Sequence, residues 1–99
     1  MSNYFAQQKI IKNIRNLLDG YLAIEKEQRL AIENGDEGYG LCPRAHLIID
    51  KVSKNLDLQY LLLCKQLTAI GFSNHPVELI DIYSTNKLKA ITILEEVVA

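Results

Sequence analysis

Tryptophan is absent, cysteine and proline occur twice each, and glycine occurs five times. Two cysteines are too few for a disulfide framework. Cys64 falls in an apolar run and is expected as a small buried hydrophobe, whereas Cys42 precedes a proline in an expected loop. With 11 Lys and Arg against 12 Asp and Glu, the formal net charge is −1, which removes any strong global attraction to nucleic acid or acidic lipid. The longest uncharged apolar run, Leu58–Cys64, is far short of the roughly 20 residues of a membrane span. The opening MSNYFAQQKIIKN has no unbroken apolar core of the kind a signal peptide needs, so a cytoplasmic, reducing location is expected.

What is abundant is helix-forming apolar sequence. At 48% hydrophobic and 23% charged, the 99 residues suit one globular domain, 1–99, large enough to bury a core. From Pro43 to Gly71, Ala45, Ile49, Val52, Leu56, Tyr60, Leu63, Leu67 and Ile70 recur at spacings 4, 3, 4, 4, 3, 4, 3, one face of an α-helix. Pro43 suits the first turn and Gly71 a left-handed cap. The run Tyr60–Cys64 is apolar all round, which predicts a central helix covered on several sides, its leucines spent on the core. Asp57 is a candidate cap for a second helix, but the unbroken apolar register favours continuity.

Upstream, Ile10, Ile14, Leu17, Tyr21, Ile24, Gln28 and Ala31 carry a second stripe. One long helix through Gly20, or two helices meeting at Asp19-Gly20, both fit; the break, giving helices over 4–18 and 21–34, is preferred. Lys9, Lys12 and Arg15 make the opening mildly basic, and 25–38 is acidic, as expected of a solvated helix end and loop. Asn34–Gly40 is the clear breaker cluster; it lacks the spacing of a phosphate-binding glycine loop. Downstream, Ser73 or Asn74 is expected to cap a last helix, with Pro76 in its first turn and Glu78 at the positive end of its dipole. The stripe Val77, Ile80, Ser84, Leu88, Ile91, Leu94, Val98 weakens at Ser84-Thr85-Asn86, where this segment can split. The expected fold is all-α, an antiparallel four-helix bundle, with five helices if the last segment splits.

Chemistry finds little to work with. His46 and His75 lie apart, and Cys42–His46 is the nearest approach to a ligand pair, two ligands short of a structural site. No nucleophile signature is present. Neither a metal, a cofactor nor a catalytic residue is therefore assigned. Val52–Tyr60 followed by Lys65-Gln66-Leu67 and Gly71 faintly has a helix-turn-helix layout, but its reading helix would be Tyr60–Cys64, whose leucines look like core. Nucleic acid is not an expected partner, and a small DNA-binding regulator or a dimeric adaptor stands as the alternative reading. A protein–protein module remains, with Tyr4, Phe5, Tyr39, Phe72 and Tyr83 as exposed aromatic candidates. Lys87 and Lys89 beside Leu88 make the final helix mildly basic, which allows a protein or a membrane surface nearby.

A first hairpin, KIIKNIRNLL followed by a charged helix ending Ile32-Glu33-Asn34-Gly35, and Leu41-Cys42-Pro43-Arg44 leading into a long helix over Leu47–Leu56 are together similar to one family. The chain resembles the small cytosolic immunity proteins that protect bacteria from their own class II (pediocin-like) bacteriocins, over about residues 8–70. The resemblance implies an antiparallel four-helix bundle without enzymatic activity. It implies recognition of a membrane sugar-transport receptor that has captured bacteriocin, with specificity in the C-terminal half. Carried onto this chain, it points to the Phe72–Pro76 loop with Phe72 and His75, and to Tyr83, Lys87 and Lys89 on the last helix. Monomer and homodimer both remain open.

Overall fold

A computed structural model describes residues 3–35 and 43–99, which form four α-helices and no strand. Helix α1 spans Asn3–Gly35, α2 Pro43–Ala69, α3 Pro76–Thr85 and α4 Lys87–Val98. The total of four matches the expectation only because two differences cancel. The opening segment is one helix of 33 residues, about 50 Å long, and the closing segment splits at Asn86.

Gly20 does not break α1, and the space left by its missing side chain is taken by a flexible side chain of the partner helix. The Gln59 side chain of α2 sits where a Cβ on Gly20 would stand, 2.5 Å from its Nε2, and that nitrogen makes a long, 3.5 Å contact to the Leu17 carbonyl. Further along, Gln28 Nε2 donates to Ser53 Oγ at 2.8 Å, and Ala31 and Gly35 line one cleft with Ala45 and Ile48. Pairing thus proceeds up α1 as it descends α2. Gly20→Ala is expected to stabilise the protein by about 0.5 kcal/mol, read as a raised urea midpoint. The gain in helix propensity is up to about 1 kcal/mol, and the displaced group is the far end of a flexible side chain holding a weak bond.

The other breaks follow the local rules. Helix α2 runs unbroken past Asp57 and ends in a glycine cap: Gly71 has φ +80°, its N–H reaches the Thr68 carbonyl at 3.1 Å, and the Phe72 N–H reaches that of Leu67 at 3.0 Å. Helix α3 starts at Pro76 as expected, but the cap is His75, not Ser73 or Asn74. Asn86 serves two helices, donating its N–H to the Ile82 carbonyl at 2.7 Å and accepting from the Lys89 N–H at 3.2 Å.

The core is gathered at one end of an elongated molecule of 59 × 22 × 20 Å. There Ile11, Ile14 and Leu18 of α1 meet Leu63 and Leu67 of α2, Leu79, Ile80 and Tyr83 of α3, and Ala90 and Leu94 of α4. Gln7 Nε2 closes that end by donating to the Val98 carbonyl at 2.8 Å. Past Leu22 on α1, the two long helices continue without α3 and α4, and only Ala45 and Val52 are buried hydrophobics on the far part of α2. The leucine run is not all core. Leu63 is fully buried, but Leu61 and Leu62 are 51% and 40% exposed. Helix α2 packs chiefly against α1, with α3 beside it at the core end, and these cover one side of it.

Candidate functional site

The five residues singled out from the sequence do not form one patch. Tyr83 was expected on an exposed face and is instead 0% exposed, so it cannot meet a partner directly. Its ring fills the core where α3 crosses α1, and its hydroxyl donates to Asp19 Oδ1 at 2.6 Å. Lys87, the first residue of α4, stands over that ring with Nζ 5.4 Å from the centroid and 3.8 Å from Asp19 Oδ1. Asp19, Tyr83 and Lys87 therefore pin the α3–α4 corner to α1. The ion pair is more than half exposed and adds little to stability by itself.

His75 is exposed, and its Nδ1 accepts from the Val77 N–H at 3.2 Å, a capping role. Phe72 is half-buried against the core, so it fixes the loop more than it offers an anchor. Lys89 is exposed. His75 and Lys87 flank opposite ends of α3, about 15 Å apart along its ten residues. Of the other aromatic candidates, Tyr4 and Phe5 are exposed and pack edge to face on each other at 6.0 Å, and Tyr39 lies outside the described residues.

The residue that sequence reasoning missed is Leu88. Its place in the apolar stripe predicted burial, yet it is 77% exposed between Lys87 and Lys89. The signal was there in Asn86: a cap at that position restarts the helix, and Leu88 falls in its first turn, off the face of Ala90, Ile91 and Leu94 that meets the core. A rigid corner thus presents one apolar side chain between two ammonium groups.

Two further features bear on chemistry. A cleft of about 390 Å³ lies between the far parts of α1 and α2, with Leu30, Ala31, Ala45 and Ile48 on its walls and Glu27 and Arg44 at its polar edge. Tyr21 and Tyr60 lie 6.0 Å apart at the margin of the core. Burial pushes both phenols up, Tyr21 further through Glu25, and Tyr60 through the Cys64 thiol beside it. Tyr83 is also pushed up, by burial and then by its bond to Asp19. A phenol whose folded pKa exceeds its unfolded value of 10.0 contributes stability that is complete below that value and is lost as pH rises through the folded one. The urea midpoint is therefore expected to hold steady up to about pH 10 and fall above it, with tyrosinate absorbance of the native protein appearing late relative to the unfolded chain.

Among the described residues no three His, Cys, Asp or Glu side chains converge as a metal site, and no helix is long and apolar enough to cross a membrane. Cys42, half of the suggested Cys42–His46 pair, lies outside the described residues. The helix-turn-helix layout is not formed, since α2 passes through the supposed turn at 55–58 without interruption. The class defined is all-α, with its surface features apolar and cationic. No family model, curated protein or solved structure matches the chain.

Proposed function

We propose that this chain is a non-enzymatic, protein-binding helical protein, an antiparallel bundle, that acts in the cytoplasm as a bacteriocin immunity protein. The observation that carries the binding reading is Leu88, 77% exposed on a corner that is itself held fast by Asn86, Tyr83 and Asp19. An apolar anchor on a rigid element binds without a large ordering cost. Lys87 and Lys89 beside it suit a partner surface carrying carboxylates. The immunity assignment is supported by the resemblance of residues 8–70, and by the long helix that begins at Pro43 where that likeness places it. The unbroken α1 departs from the first hairpin of that likeness, which is therefore one of sequence pattern in this segment. The partner in this reading is a membrane sugar-transport receptor with captured bacteriocin, met through the α4 corner.

The test is expression of the chain in cells sensitive to class II bacteriocins, followed by challenge with a panel of the peptides. Survival against at least one peptide is expected, and it should be lost with Leu88→Glu while far-UV circular dichroism is unchanged. Sensitivity equal to empty-vector cells across the panel would overturn the immunity reading.

A further inference from the structure

The face of α2 that turns away from the core has a pattern of its own. Leu47, Lys51, Lys54, Leu58, Leu61 and Lys65 recur at spacings 4, 3, 4, 3, 4. At about 100° per residue these six stay within about 40° of one line, roughly opposite the line of Ala45, Val52 and Leu63. All six are exposed, and Leu62 lies beside them, also exposed. The row runs about 27 Å along a single helix. It is a convex ridge, a shape that lies tangent to a plane.

Charge on the ridge is of one sign. Lys51, Lys54 and Lys65 stand on it, and among the described residues no ion pair engages them. The nearest carboxylates on α2, Asp50 and Asp57, lie on its flank, about 60° and 80° from the line. The neighbouring Arg44 shares a cleft with Glu27. A second copy of the chain is a poor occupant, because two such ridges packed together would bury lysine against lysine. A protein groove is favoured by aromatic and arginine anchors, and the ridge has neither. Leucines interleaved with lysines, whose stems can lie along an apolar layer while their ammonium groups reach outward, suit the headgroup region of a bilayer.

We propose that the outer ridge of α2 is a docking surface for an anionic lipid bilayer, with Leu58, Leu61 and Leu62 entering the interface and Lys51, Lys54 and Lys65 among the headgroups. The net charge of −1 does not oppose this, because screening limits each lysine's reach to about 10 Å. The ridge is separate from the α4 corner, so the inference goes beyond the immunity reading and survives its failure.

Co-sedimentation of the full chain with vesicles tests it, using phosphatidylglycerol mixed with phosphatidylcholine against phosphatidylcholine alone. Binding to the anionic vesicles only is expected, weakened at least about tenfold by raising salt to about 0.5 M. The triple variant Lys51→Gln, Lys54→Gln, Lys65→Gln should lose at least about tenfold in partitioning. The pair Leu58→Ser, Leu61→Ser should weaken it as well, in both cases with helicity preserved. No sedimentation, equal sedimentation with both vesicles, or indifference to the lysine variant would overturn the proposal. So would a dimer, seen by light scattering, that Leu61→Ser abolishes.

Discussion

Leu63→Ala is expected to lower the unfolding free energy by about 2–5 kcal/mol, while Leu61→Ala and Leu62→Ala shift it by no more than about 0.5 kcal/mol. The three residues are consecutive and chemically identical, so only their surroundings differ. Leu63 is fully buried in one cluster with Ile14 and Leu18 of α1 and the core residues of α3 and α4. Removing its isobutyl group there costs both the lost transfer of apolar atoms and the cavity left behind. Leu61 and Leu62 already stand half in water. Truncating them removes exposed apolar surface, and alanine is at least as good a helix former as leucine. Urea denaturation of the three variants, compared at constant slope, measures the contrast.

The second large effect belongs to Tyr83. Tyr83→Ala should cost about 3–5 kcal/mol, the range of a buried aromatic ring removed to alanine. Tyr83→Phe keeps the ring and should cost about 1 kcal/mol. Asp19→Ala should cost more than Tyr83→Phe, because the two partners are buried unequally. Asp19 keeps water and Lys87 when the phenol hydroxyl is gone, whereas the hydroxyl on a fully buried Tyr83 loses its acceptor. A buried donor left unpaired costs about 1–3 kcal/mol. The order Ala, then Asp19→Ala, then Phe is the signature of a hydroxyl that works from inside the core. A partner-facing tyrosine would give three small and similar values.

The sequence made the helices legible and hid their coverage. The 3.6-residue stripes located α2, its Pro43 start and its Gly71 cap, since these depend on local backbone chemistry alone. Gly20 was harder, because propensity within one segment cannot tell a glycine that ends a helix from one that admits a neighbour's side chain. The Gln59 carboxamide pressed against it belongs to a residue 39 positions later. His75 as a cap was missed in favour of the commoner capping residues Ser73 and Asn74. Leu61 and Leu62 were read as core because an all-round apolar run is usually covered, but α1 and the short α3 pack on only one side of α2. Leu88 and Tyr83 exchanged roles for separate reasons: the restart at Asn86 leaves Leu88 in the first turn of α4, off the face that meets the core, while Tyr83 lies on the α3 face that packs against α1.

Helices α3 and α4 gather the core at one end of the long helix pair and leave the rest of that pair, and the back of α2, without a cover. Residue-resolved amide hydrogen exchange on the native protein tests this most directly. Slowest exchange is predicted for amides of 11–22 in α1 and 60–69 in α2, with markedly faster exchange in 24–34 and 45–56 of the same two helices. Uniform protection along the full length of α1 and α2 would contradict it.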